Sequence, residues 1–217
     1  EFFKIKGFGL QARPPGVANL PIYVAALGLT AAKRAARYAD GLILTLTPPS
    51  YERELVQIAQ QSAEAAGRDP TRLKIIHILP SFPSDDVAVA AGAARRMICR
   101  YVALPFYANM FASAGFREEV KDIQETLERQ QMQQAQQAVS KRMINAVAAL
   151  GNVASYQEGI ERHQAAGAEV VVYPNAVTAD EPAAWHDAIE LVLEQRREIA
   201  NEPKNIVRSF AWQRYLQ

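Results

Sequence analysis

The stretch Leu20 to Leu46, LPIYVAALGLTAAKRAARYADGLILTL, constrains the fold more than any other part of the chain. Pro21 has no N–H to give to a ladder and belongs at a strand's first residue or edge. Ile22-Tyr23-Val24-Ala25-Ala26 is the apolar, partly β-branched run expected of a strand buried on both faces. Gly28 ends that strand. Thr30 reads as the N-cap of a short helix, Ala31 to Ala39, because its hydroxyl can accept a bond from an N–H that the helix start leaves unpaired. Asp40-Gly41 closes the helix, and Leu42 to Leu46 returns as a second buried strand. The segment is therefore expected to form a βαβ unit.

The rest of the chain repeats this alternation. Phe2 to Leu10 reads as a half-buried strand or hairpin arm, and Gln11 to Leu20, with Pro14, Pro15 and Gly16, as a loop. Pro48-Pro49 opens a helix from about Ser50 to Ala66, since a missing N–H is harmless in a first turn. Gly67 and Asp69-Pro70 stop it, and Lys74 to Phe82 is a third buried strand. Ser84-Asp85-Asp86 supplies caps for a long helix to about Val102. From about 103 to 151 the pattern becomes a helical excursion from the core, interrupted at Pro105 and Gly115. Its glutamine-rich run reads as an exposed helix around Gln124 to Ser140, on the spacing of Met132, Ala135 and Val139. Asn152 caps a helix to Ala166, Ala168 to Pro174 is a fourth buried strand, and a last helix runs from Ala183 to about Ala200. One domain, 1–200, with a basic, aromatic docking tail, 201–217, is the expected organisation.

Charge and side-chain chemistry exclude several classes. Lys and Arg number 24 against 23 Asp and Glu, a net charge of +1, so nothing global favours nucleic acid or an anionic membrane surface. No apolar run approaches the roughly 20 residues of a spanning helix. The single Cys99 excludes an internal disulfide and a cysteine-based metal site, and fits a reducing, cytoplasmic compartment. His77 lies mid-strand and reads as a packed core histidine, while His163 and His186 lie on helices with exposed neighbours. Three histidines so scattered show no metal-ligand spacing, and no metal is expected. The start at Glu1-Phe2-Phe3, inside a strand pattern and without methionine, reads as a truncation or processing point.

Strands alternating with helices imply a parallel sheet with right-handed crossovers. The pattern alone leaves two architectures open: an open doubly wound sheet, or part of a (β/α)8 barrel, which takes about 250 residues when complete. Phe2-Phe3-Lys4-Ile5-Lys6-Gly7-Phe8, Pro21 to Gly28, Ala39-Asp40-Gly41-Leu42, Ala66 to Pro70, Asp85-Asp86, Tyr101 to Phe116 and Ala165-Ala166-Gly167 before Val170-Val171-Val172 follow in an order and spacing that resembles the second half of the bacterial luciferase-like superfamily. Its coenzyme F420-dependent oxidoreductases are the nearest in character, its FMN monooxygenases next.

The resemblance implies an α/β fold, the second half of a (β/α)8 TIM barrel with a helical insertion. It also implies hydride transfer between F420, or alternatively FMN, and an organic small molecule. No catalytic residue carries over, because the family's candidates lie in strands without a counterpart here. The phosphate-bearing end of the cofactor carries over to Ala25, Ala26, Gly28, Leu29 and Thr30. A glycine turn feeding a helix start does offer free N–H groups and a positive dipole end to an anion. Leu29 departs from the proline common in the family but keeps its N–H. Thr45 is a further candidate for the cofactor ring, and Thr47, Asn175 and Tyr107 for the substrate pocket, the threonines and Asn175 because barrel chemistry sits at strand C-termini. A reading of another class is a non-catalytic half-barrel whose raw edges and half-covered interior drive homo-oligomerisation or association with a complementary half-barrel.

Overall fold

The computed structural model describes residues 20–178 together with Ile189, Glu190 and Leu193. The expected N-terminal strand, the last helix apart from those three helical residues, and the tail lie outside the described residues. Strand β1 (Tyr23–Ala25) is followed by α1 (Leu29–Ala35), β2 (Gly41–Thr45), α2 (Pro49–Ala65) and β3 (Lys74–Pro83). After α3 (Val87–Val102) come α4 (Pro105–Phe111), a π turn, α5 (Arg117–Glu128), α6 (Met132–Ala138), α7 (Lys141–Val147) and β4 (Ala149–Gly151). Helix α8 (Val153–Gln164) then leads to β5 (Glu169–Pro174).

Among the described residues all the pairings are parallel, and β1, β2, β3 and β5 lie side by side in chain order, with β4 added at the C-terminal end of β3. A doubly wound sheet reverses its strand order and buries both faces. Among the described residues the order does not reverse and the helices cover one face, so the sheet is an arc of a (β/α)8 barrel. Leu42, Leu44 and Leu46 of the β2 segment and Ile75, His77 and Leu79 of β3 point to the helices and are buried. The alternate residues point into the barrel. Ile43 is level with Ile76 and Glu169, and Thr45 with Ile78 and Val171. Of these, Ile43, Thr45, Ile76, Ile78 and Val171 are half-buried.

Local chemistry explains why the first units close as they do. Asp40 accepts a bond from the Ile22 N–H at 2.8 Å, tying the entry of β1 to the entry of β2. The Arg68 guanidinium donates to the Ala36 and Ala39 carbonyls at 2.6 and 2.7 Å, satisfying groups that the end of α1 leaves open. Ser62 donates to the Lys33 carbonyl at 2.6 Å and joins α2 to α1. Gly41 is required by close approach, because a Cβ there would overlap the Tyr23 ring and sit 2.6 Å from the Lys74 carbonyl oxygen.

Several expectations are corrected. Strand β1 is not buried on both faces: Ile22 is 62% exposed, and among the described residues β1 pairs only with β2. Strand β5 is half-buried, with Tyr173 exposed. The glutamine-rich stretch is not one helix but α5 and α6, separated at Gln130, whose φ of 59° no α-helix accommodates. Ala135 and Val139 are the residues that it buries, while Met132 is exposed. Strand β4 has no counterpart in the sequence pattern. No helix among the described residues is long and apolar enough to cross a membrane.

Candidate functional site

At the C-terminal end of β1 the chain turns into α1 at Gly28, which occupies the N-cap position; Thr30 lies inside the helix rather than capping it. The Ala32 N–H already closes on the Gly28 carbonyl at 3.0 Å, which starts the helix ahead of the threonine. No side chain caps this start. Space is open above Gly28, where a Cβ would meet nothing within 4 Å. Burial raises the pKa of the Tyr51 hydroxyl, and a hydrogen bond with the Leu29 backbone opposes that shift. One backbone group of the turn is thus engaged by the protein itself. Ala25 is exposed and Ala26 is buried in the core.

The adjoining end of β2 is conformationally unusual. Leu46 has φ 54°, a region that a bulky non-glycine residue enters only under constraint, with its side chain buried. Thr45 before it faces the barrel interior and donates to the Ile78 carbonyl at 3.2 Å. Thr47 after it is fully buried and donates back to the Thr45 carbonyl at 3.1 Å. The turn at 25–30 and the pair Thr45 and Thr47 therefore meet at neighbouring strand ends. Asn175 is not beside them. It caps β5, its backbone N–H and side-chain amide donating to the Ser81 carbonyl at 2.8 and 3.4 Å and its amide also to Tyr173 at 3.1 Å. Tyr107 of α4 packs edge-on against Tyr101, centroids 4.6 Å apart, half-buried against the main core.

A cleft of about 310 Å³ opens where β3 and β4 run out, lined by Ser84 and Asp85, by Arg95 of α3, by Lys141 and Asn145 of α7, and by Asn152 at the start of α8. Two cations face one carboxylate there, with hydroxyl and amide groups between, a lining suited to a polar or anionic group. Sequence reasoning points to none of these residues as a site. Asp86, next to Asp85, and Asn152 are expected to be helix caps, and both are: Asp86 accepts from the Ala88 and Val89 N–H groups, and Asn152 from that of Ser155.

On the opposite, helix-covered side of the sheet, three polar side chains converge that sequence spacing keeps apart. Glu52 of α2, His77 of β3 and His163 of α8 are all buried. His163 Nδ1 lies 2.6 Å from Glu52 Oε2; a carboxylate only accepts, so this nitrogen carries the proton. His77 Nδ1 approaches the same oxygen to 2.9 Å without the alignment of a hydrogen bond, and its ring stacks on that of His163 at 3.6 Å. Burial by itself raises the Glu52 carboxyl, but the contacts from His163 and His77 outweigh it and hold the group below its ordinary value. Burial lowers His77 and favours its neutral form, with Glu52 opposing. His77 is the core histidine expected. His163 does lie on a helix with exposed neighbours, Glu161 and Gln164, but its own side chain faces inward and is buried; His186 lies outside the described residues.

A family model described as luciferase-like monooxygenase matches residues 1–206. The chain belongs to this family. Among curated relatives of the luciferase-like chain, an F420-dependent glucose-6-phosphate dehydrogenase of Mycolicibacterium gilvum (strain PYR-GCK) is 36% identical over 88 residues, which cover 39% of this chain and 26% of the relative. Among solved structures, the coenzyme F420-dependent tetrahydromethanopterin reductase from Methanopyrus kandleri superposes with a TM-score of 0.65 at 23% identity, over 81% of this chain and 50% of that one. An F420-dependent secondary alcohol dehydrogenase, in complex with an F420–acetone adduct, gives 0.51 at 22% identity, over 71% and 43%. The luciferase-like chain thus covers about half the length of the structures that share its fold, and its matched segment about a quarter of the curated relative.

Proposed function

We propose that this chain is the C-terminal half of a luciferase-like oxidoreductase that transfers a hydride between coenzyme F420 and an organic substrate. The observation that carries this reading is the family match together with relatives whose names specify F420. The residues present suit such a cofactor. Its anionic tail would lie at the uncapped start of α1, with Ala25, Gly28, Leu29 and Thr30 around it and Ala26 buried beneath, where unpaired N–H groups remain and Gly28 leaves room. Its flat ring would lie against the half-buried interior row of Thr45, Ile78 and Val171. When bound, the deazaflavin supplies the hydride chemistry; the chain's part is to hold it, exclude water on the apolar side and present a substrate from the rim. Thr47 and Asn175 would set the strand ends beneath that rim, and Tyr107 one wall of the insertion. The family description, a monooxygenase, supports a second reading of the reaction class, for which FMN would be the cofactor.

The half-open interior face supports association, either with a complementary half-barrel or with a second copy, because an apolar sheet face of this kind is left half in water otherwise. Titration with F420 and with FMN, with the upstream half of the barrel supplied, tests the cofactor. Saturable binding of F420 is expected, stronger than that of FMN; binding of neither would end the proposal. Sedimentation of the chain alone is expected to show a species larger than a monomer, and a stable monomer would count against the half-barrel association.

A further inference from the structure

We propose that Glu52, His77 and His163 form a binding site for one divalent first-row transition ion of the zinc class, which clamps α2 and α8 onto β3. The three side chains offer one carboxylate oxygen and two imidazole nitrogens within 4.8 Å of one another. Two nitrogens and an oxygen, with no thiolate, are a donor set for zinc and its neighbours; magnesium and calcium select oxygen alone. Full burial leaves the cluster with unused valence. Glu52 Oε1 and His77 Nε2 have no hydrogen-bond partner, and His77 Nδ1 has only its poorly aligned contact with Glu52 Oε2. A buried polar group left unmatched is costly, so two such atoms beside one strained contact in a sealed cluster call for a ligand.

The geometry requires a small separation of the ligand atoms and a reorientation of the stacked rings. The Nδ1 atoms of both histidines face Glu52 Oε2, at 2.6 and 2.9 Å. In a tetrahedral site with bonds of about 2.0–2.1 Å, ligand atoms stand roughly 3.3 Å apart. These two separations have to widen by less than about 1 Å, and the two rings, stacked 3.6 Å apart, have to rotate so that both Nδ1 lone pairs point to one ion as it displaces the His163 Nδ1 proton. Three protein ligands leave a fourth position for water. The cluster lies mid-strand on the helix-covered face, away from the strand ends where the cofactor is proposed. Its role is to stabilise the helix layer, and it stands or falls independently of the F420 reading.

The test is metal content and spectroscopy on the full chain. Protein purified from zinc-supplemented medium and passed through gel filtration is expected to hold about one equivalent of metal, and cobalt-loaded protein to show visible ligand-field bands. A chelator should lower the melting temperature. Glu52→Gln and His163→Asn should each reduce metal content at least about tenfold and abolish the chelator response. A metal-free wild type together with a featureless cobalt titration overturns the proposal and leaves a proton-only network. Metal retained in full by Glu52→Gln overturns it as well, by placing the ion elsewhere. The cobalt spectrum of the wild type decides the matter even where a variant fails to fold.

Discussion

The two faces of the same sheet have been given different work. Toward the helices, Leu42, Leu44, His77 and Leu79 have no exposed surface, and even the polar side chains there, Glu52 and His163, are sealed. Toward the barrel interior, Ile43, Thr45, Ile76 and Ile78 alternate with them along the same strands yet remain half in solvent. A period of two thus separates a face that holds the fold together from a face that awaits something to hold.

The contrast is sharpest where the sealed face is polar. Glu52→Gln is expected to destabilise the chain by about 3–5 kcal/mol, the range for breaking a buried charged contact by removing one partner, measured as a shift of the urea midpoint. A loss below about 1 kcal/mol would mean that water reaches the cluster. Next, Leu44→Ala should cost about 2–5 kcal/mol as a buried cavity, and Ile78→Ala, which removes a side chain of similar bulk from the opposite face, clearly less. Equal losses would mean that the interior face is covered in solution, and the asymmetry would then be lost. Gly41→Ala adds a methyl group against the Tyr23 ring and the Lys74 carbonyl oxygen, and should cost about 1–3 kcal/mol without affecting metal content.

The smallest effect lies off the sheet and serves as its control. Burial works to raise the Glu119 carboxyl, but the Arg142 guanidinium at 2.8 Å, the Glu119 backbone and the Ser140 hydroxyl bring it below its ordinary value. A lowered folded pKa gives stability that is complete above the unfolded value of 4.5 and lost as the pH falls through the folded one. Arg142→Ala should reduce this acid-sensitive component by its largest share, about 1 kcal/mol or less for a pair with an exposed partner, and leave both faces of the sheet unchanged by hydrogen exchange.

Much of this is legible in the sequence where the signal is local. Asp86 caps α3 and Pro49 opens α2, and the bounds of β3 follow its apolar run, because caps, missing N–H groups and β-branched runs act within a few residues. Thr30 misleads for a local reason as well: a hydroxyl can cap, but Gly28 places its carbonyl first. Strand β4 has three residues, too few for any periodicity to register. The exposure of β1 depends on what lies across from it, which no run of its own residues encodes. The meeting of Glu52 and His163, 111 residues apart, is a property of the barrel arc and not of spacing. The cleft is hidden for a related reason, since Asn152 and the residues around Asp86 have local tasks that fully account for them.

Strand β3 also has a kinetic consequence. It must pair with β2 just before it and with β5 far beyond it, and the Lys74–Glu169 ion pair at 2.7 Å closes a loop spanning 95 residues that contains α3 to α8. Closure entropy grows only logarithmically, about 0.6 kcal/mol for each doubling of a loop, so helices can be added or removed between the two strands at little equilibrium penalty. The burden falls on rate: until the distant strand arrives, one edge of β3 stays open, and the slowest step of folding is expected to be that docking.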